Sequence, residues 1–263
     1  MIFEKLYSII QFIISFFIGG TECVGCSSRT YSFVLCDNCK RKILNFSTFN
    51  SNKRCEICGK ILISEIGLCN ECKSKKENQI AIYYDKIFPM HMYRLWYKDL
   101  IYAWKKENYR GLGLLFSKLY FDSILAIQKS YQIDSIVCIP ERPGKLKKKG
   151  WDQMKDIKNI LSRKYSILID DVFIRKSETE QKKLSKKERE DGLGTEYELI
   201  ENINIKGGNY LILDDVVTTG NTMNKCAKLL KNRGAKNVYG LSLFIDLIDT
   251  KVSVGVGLQC SMT

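Results

Sequence analysis

Residues 211–223 read LILDDVVTTGNTM, a run of apolar residues that ends in two acids and passes through a threonine–glycine loop into a helical pattern. An apolar run this short, closed by a turn signal, predicts a buried strand. Asp214 and Asp215 stand side by side at its end, where like charges repel. Paired acids at a strand end often do no more than cap a turn. Here the loop that follows offers more than a cap. Gly220 gives the backbone freedom, and the N–H groups of residues 218–222 can turn inward at the start of a helix near Asn221. A helix N-terminus favours an anion. Thr218, Thr219 and Thr222 add hydroxyls. The two carboxylates suit the paired hydroxyls of a ribose, which they would accept as short charge-assisted hydrogen bonds. One ligand satisfies both halves: a ribose 5-phosphate with its 2′- and 3′-hydroxyls free.

The sequence on either side has an α/β texture. DSIVCIP, from residue 134, predicts a buried strand stopped by Pro140; QMKDIKNILSRKY predicts an amphipathic helix; NTMNKCAKLLKNRG predicts a helix ending at Gly234; NVYGLSLF predicts another strand. Strands alternating with helices imply a parallel sheet with crossover helices. Residues 80–130 read as mostly helical, with Trp96 and Trp104 on one core-facing side and a break at Gly111 and Gly113. The single histidine, His91, has no cysteine near it and reads as structural or exposed. Residues 175–194 carry almost no apolar side chains and read as a long solvated loop of the kind that is commonly functional.

Eight of the eleven cysteines form four C-x-x-C pairs before residue 73. Cys23, Cys26, Cys36 and Cys39 form one set, and Cys55, Cys58, Cys69 and Cys72 another. Two such knuckles close a tetrahedral zinc shell. Pairing within each set closes the shorter loops and predicts two structural zinc ions in tandem ribbons. Pairing Cys36 and Cys39 with Cys55 and Cys58 is also a legitimate zinc spacing. With four thiolates each, neither ion would keep an open position for chemistry. Residues 21–78 are polar and need such a staple. The expected organisation is an apolar helix over 1–20, a double zinc-ribbon module over 21–78 and the α/β domain over 79–263.

Net charge is +13. Two Zn(Cys)4 units would lower it only to about +9. Such an excess suits anionic partners: phosphorylated small molecules, nucleic acid or a membrane surface. A lysine-rich genome is the plain alternative. The apolar run Ile9–Ile18 is too short to span a bilayer. It reads as a segment that docks on the body of the protein, with a membrane-peripheral role as the other reading. Reduced cysteines and the lack of a secretory signal predict a cytoplasmic address.

At this point the sequence resembles a known family. D-D followed by T-T-G-x-T, after a hydrophobic strand, looks like the 5-phosphoribosyl-1-pyrophosphate (PRPP) motif of type I phosphoribosyltransferases. IPERPGKLKKKGWDQ, residues 139–153, and RKSETEQKKLSKKER, residues 175–189, are similar to two stretches of the ComF family of competence-associated phosphoribosyltransferase-like proteins. Arg175, Thr179, Leu184 and Arg189 match the second stretch, with Gln181 one place early. Tandem cysteine pairs ahead of the transferase domain are also a feature of that family. The chain departs from its pattern at Arg142, Trp151, Asp152 and Gly192, and carries Lys145, Lys147 and Lys149 where arginines are expected.

The resemblance implies a type I phosphoribosyltransferase-like sheet with flanking helices. Asp214 and Asp215 would bind the ribose of PRPP and stabilise a cationic sugar at the anomeric carbon. Thr218, Thr219, Gly220, Asn221 and Thr222 would cradle the 5′-phosphate. Glu141 and Arg142 would meet the pyrophosphate, with Mg²⁺ held mostly by ligand oxygens. The activity implied is phosphoribosyl transfer, in DNA uptake or nucleotide metabolism. The alternative is a non-catalytic module for single-stranded DNA, with Lys147, Lys148 and Lys149 or the ribbons touching the strand and DNA-uptake proteins as partners.

Overall fold

The computed structural model describes residues 20–31, 34–45, 53–93, 96–107, 109–141, 151–176, 196–205 and 207–246. The expected apolar helix over 1–20 (but for Gly20), Arg142, the lysines at 145–149 and residues 177–194 of the polar loop expected over 175–194 lie outside the described residues, while Arg175 ends a strand and is not part of a loop.

A four-stranded parallel sheet organises the molecule. β3 (Lys86–Met92), β4 (Ser135–Cys138), β7 (Asn209–Val217) and β8 (Asn237–Ile245) pair in the order β3-β8-β7-β4. β7 and β8 are buried along nearly their whole length because both faces of the sheet are covered, and their sequences are accordingly near-continuous apolar runs. On one face Leu211, Leu213, Leu241 and Leu243 pack against α3 (Trp96–Lys105), α4 (Leu112–Ser130) and α5 (Gln153–Tyr165), which contribute Trp104, Phe116, Tyr120 and Ile157. On the other face Tyr210, Ile212 and Val238 meet Met223, Cys226 and Leu230 of α6 (Asn221–Asn232). They also meet the hairpin β5 (Phe173–Arg175) and β6 (Tyr197–Leu199). β7, α6 and β8 thus form the strand–helix–strand unit expected from the sequence.

Two expectations need correction. Residues 80–130 are not helical throughout, because Lys86–Met92 forms an edge strand of the sheet. The edge tolerates Pro89, whose missing N–H would break a ladder inside a sheet. His91 lies in this strand, buried and stacked on Tyr97 at 4.9 Å, and so is structural. Desolvation, with the nearby Arg54 charge, lowers its pKa to about 3. Gly113 does not break a helix; it is the buried second residue of α4, beside Ile160. Trp104 is fully buried, as expected of a core residue.

The cysteine-rich region packs directly on this body. In the first ribbon, β1 (Thr21–Glu22) and β2 (Arg29–Thr30) precede α1 (Asp37–Leu44). Cys23, Val34, Leu35, Cys39 and Ile43 join the main hydrophobic core. The second ribbon ends in α2 (Asn70–Glu77) and keeps a small cluster of its own: Cys55, Leu62, Cys69 and Cys72. It docks through hydrogen bonds and through Ile57, which packs against the core on the α6 face of the sheet. Ile87 N–H donates to the Ile57 carbonyl at 2.8 Å, and Arg54 Nη1 donates to the Gly59 and Pro89 carbonyls at 2.8 and 3.3 Å. Gly59 has φ +70°, and a Cβ there would stand 2.3 Å from the Ile87 carbonyl oxygen. Among the described residues no helix is long and apolar enough to cross a membrane.

Candidate ligand site at the ends of the parallel strands

Ligands of open parallel sheets bind beyond the carboxyl ends of the strands. Asp214 and Asp215 lie near that end of β7. Leu211 and Leu213 face one core and Tyr210 and Ile212 the other, yet Val216 packs with the first and Val217 with the second. The alternation therefore slips by one residue across the acid pair. Tyr120 Oη, from the floor of α4, donates to the Asp214 carbonyl at 2.6 Å and fixes the backbone there. Asp215 N–H donates to Asp214 Oδ1 at 2.9 Å.

The two acids are not equivalent. Asp215 is buried and pairs with Lys105 at 2.5 Å from Oδ2 to Nζ. Desolvation and then the Asp215 charge push Asp214 up to about 7. Burial alone would lower the Lys105 ammonium, but Asp215, Glu141 and Asp214 together hold it above its ordinary value. Asp215 thus pairs with the lysine directly, and the charges of Glu141 and Asp214 act on it as well. Reading the sequence did not single out Lys105. A lysine at the last position of an amphipathic helix ordinarily faces solvent, and only the placement of α3 under β7 turns it inward.

The loop expected to cradle a phosphate places Gly220, left-handed at φ +75°, directly ahead of α6. No side chain caps this helix and no acid stands in its first turn, which leaves its N-terminal N–H groups for a ligand. Thr218 and Thr219 are exposed, and Asn221 N–H makes a long 3.4 Å contact to Thr219 Oγ1. Asn224, one turn on, anchors the helix to the chain entering β3: Oδ1 accepts from Tyr83 N–H at 2.7 Å, and Nδ2 donates to the Ala81 carbonyl at 2.9 Å.

Other residues of the two ComF-like stretches have structural roles. Trp151 is buried and packs edge-on against Trp104 at 6.3 Å. Asp152 caps α5 by accepting from Lys155 N–H at 3.0 Å. Arg175 bonds to Glu196 across the β5–β6 hairpin and reaches the Pro140 carbonyl at 3.4 Å, tying the hairpin to the end of β4.

Both cysteine quartets assemble with adjacent pairing. In each, four sulfurs lie within 4.8 Å of one another, a donor set that fits one tetrahedral metal ion. Cys23 Sγ accepts N–H bonds from Gly25 at 3.4 Å and Cys36 at 3.3 Å, the kind of donors that stabilise thiolate charge. Among the described residues no other cluster of metal-compatible side chains occurs.

A parallel sheet ending in an acid pair, followed by an uncapped helix behind a threonine–glycine loop, defines a phosphoribosyltransferase-like protein. A model of the phosphoribosyl transferase domain matches residues 145–252. Competence proteins of two bacteria match this chain along most of its length, which supports a ComF-like phosphoribosyltransferase-like protein. The chain is 27% identical to the competence protein ComFC of Streptococcus pneumoniae over 80% of this chain and 86% of that protein. It is 24% identical to competence protein F of Haemophilus influenzae over 79% and 90%. A 37-residue stretch is 49% identical to the ribose-phosphate pyrophosphokinase of Thermococcus kodakarensis, covering 14% of this chain and 13% of that one. Among solved structures, a hypoxanthine phosphoribosyltransferase from Staphylococcus aureus aligns at 16% identity over 55% of this chain and 71% of that one, with a TM-score of 0.31. The allosteric regulatory enzyme of purine biosynthesis aligns at 16% over 51% and 24%, with a TM-score of 0.34.

Proposed function

We propose that this site binds PRPP, or a closely related ribose 5-phosphate, and that the chain transfers the phosphoribosyl group to an acceptor. The observation that carries the reading is the continuity of Asp214 and Asp215 with the uncapped N-terminus of α6 through Gly220. The 5′-phosphate sits on residues 218–222, and the ribose hydroxyls reach the acids. An acceptor lone pair forms the new bond to the anomeric carbon as the bond to the pyrophosphate oxygen breaks, and that electron pair leaves with pyrophosphate. The sugar passes through a cationic state that the ionised acids stabilise. Mg²⁺ suits a site with few protein ligands, since it keeps waters and takes substrate oxygens; it would neutralise the pyrophosphate. Glu141, and Arg142 as the family resemblance implies, would meet that end of the ligand.

The names of the curated relatives support a role in competence; DNA uptake as the process and a cytoplasmic address are our own proposals. Zinc in the two quartets is the metal their thiolate sets favour. The experiment is titration of PRPP with Mg²⁺ into wild type, Asp214→Asn and Asp215→Asn, followed by thermal shift, together with pyrophosphate release with and without oligonucleotide. Binding by wild type and weaker shifts in both variants are expected. Equal shifts in all three proteins would end the ribose assignment.

The net charge of +13 favours a second activity, sequence-tolerant binding of single-stranded DNA. Its affinity should fall steeply with salt, and joint replacement of Lys147, Lys148 and Lys149 should flatten that slope. An unchanged slope moves the contact to the ribbons.

A further inference from the structure

The phosphate loop contains no cation: residues 218–222 are Thr, Thr, Gly, Asn and Thr. A phosphate monoester carries close to two negative charges at neutral pH. Among the described residues, the second cysteine ribbon brings a cation to the outer side of this loop. Lys75 Nζ, on α2, donates to the Thr219 carbonyl at 3.1 Å and to Glu71 Oε1 at 2.8 Å. A crevice runs between the two elements, with Lys60, Glu71 and Lys75 on the ribbon side and Thr218, Thr219 and Asp246 on the other. Tyr84 closes its floor. Its hydroxyl lies 3.1 Å from where a Cβ on Gly220 would stand, so the left-handed turn and this ring are fitted to one another.

We propose that the second ribbon is a wall of the phosphate pocket and that Lys75 is its cationic ligand for the 5′-phosphate. The proposal rests on the ribose 5-phosphate reading above. An ammonium has three N–H donors. Two are engaged with Glu71 and Thr219, and the third is available to an anion seated on the loop. Glu71 and the Thr219 carbonyl hold the lysine where that anion arrives, so little side-chain freedom remains to be lost on binding.

The cysteine quartet sets where Lys75 stands. Cys69 is the N-cap of α2 and Cys72 is its third residue, one turn before Lys75. A metal on these sulfurs fixes the first turn of α2, and the contacts of Ile57, Arg54 and Gly59 fix the ribbon to β3. Metal occupancy of the second quartet thereby governs affinity for the phosphate. The ribbon acts here through position, since its ion has no open coordination site.

The test uses the full chain, with two metal ions per chain verified for each protein. Ribose 5-phosphate and inorganic pyrophosphate are titrated calorimetrically into wild type, Lys75→Met and Lys75→Arg. Losing one charge-assisted bond should weaken ribose 5-phosphate binding about tenfold in Lys75→Met. Lys75→Arg should recover part of that loss. Pyrophosphate, which occupies the other end of the ligand, should bind all three alike. Metal content stays at two, so a change in affinity is not a loss of the ribbon. Unchanged ribose 5-phosphate affinity in Lys75→Met, or equal weakening for both ligands, overturns the wall while leaving the ribose site intact. Wild type that binds neither ligand overturns both readings.

Discussion

The two cysteine quartets look alike in sequence, yet the molecule uses them differently. The first feeds Val34, Leu35 and Ile43 into the main core, where Ile43 is fully buried. The second buries only Leu62 and three of its cysteines in a separate cluster. It is attached to the sheet by the Ile87 N–H bond to Ile57, by Arg54 and by Ile57 packed against the core on the α6 face, and to the loop at Thr219 by Lys75. Apolar burial is non-directional, so the first ribbon can stabilise the body without specifying any atom of the site. Hydrogen bonds are directional, so the second can place a charge. Equivalent metal motifs therefore divide into a structural buttress and a positioning element.

Removing metal should test this division most severely. Structural zinc supplies on the order of 10 kcal/mol of folding free energy per site. Strong chelation should expose residues 53–79 to proteolysis and, through loss of the first ribbon, lower the melting temperature of the sheet. A chelated chain with an unchanged melting curve and an intact ribbon region would break the comparison. A finer cut separates the ribbons without touching a ligand. Ile43→Ala should cost about 2–5 kcal/mol of global stability, the range for a buried aliphatic truncation. Leu62→Ala should instead loosen α2 locally, read as faster hydrogen exchange at residues 70–77 with the global melt little changed. The reverse pattern would exchange the roles of the ribbons.

Much of this architecture was legible. The spacing of the cysteine pairs marked eight metal ligands and favoured adjacent pairing while leaving the crossed pairing open, and the folded arrangement brings the adjacent sets together. β7, α6 and β8 were legible because buried parallel strands are apolar runs and α6 has a clear helical period. β3 was hidden. Its Pro89 and its position between helical patterns argue against a strand, and only the edge position in the sheet makes that sequence acceptable. The acid pair and loop were read from local chemistry, but Lys105 and Lys75 were not. Each reaches the site across a long sequence separation, and no local pattern marks a lysine that tertiary packing turns inward.

Lys105 gives the next effect in size. Lys105→Met leaves Asp214 and Asp215 adjacent without their paired cation. Loss of the charge-assisted contact should cost roughly 1.5–3 kcal/mol of organisation at the acids, tenfold or more in PRPP affinity. Lys105→Arg keeps the charge and should retain more of it. Titration of PRPP into both variants checks this. Unlike Lys75→Met, Lys105→Met should also impair binding of ribose lacking a phosphate, because the lysine acts on the ribose end. If both lysine variants lose affinity only for phosphorylated ligands, Lys105 belongs with the phosphate and not with the sugar.

The smallest expected effect concerns the proton on Asp214. Desolvation and the neighbouring Asp215 charge raise this acid to about 7 in the folded chain, against 3.8 for an ordinary aspartate. The folded state then holds a proton that the unfolded state releases, so stability falls as pH rises. The contribution is complete below about 4, is lost as pH climbs through about 7, and is absent above. Asp214→Asn removes the need to ionise there. At pH 8 the unliganded variant should melt higher than wild type by roughly 2–4 °C for each ~1 kcal/mol relieved, and near pH 4 the difference should vanish. Ligand binding should show the opposite trend. The ionised acid accepts ribose hydroxyls more strongly, so PRPP affinity of wild type should improve from pH 6 to pH 8 relative to Asp214→Asn. The comparison with the variant cancels the ligand's own phosphate titration. Parallel melting curves for the two proteins across pH 4–8 would show that Asp214 ionises as an ordinary surface aspartate, and the strained acid pair would then have no part in the site's energetics.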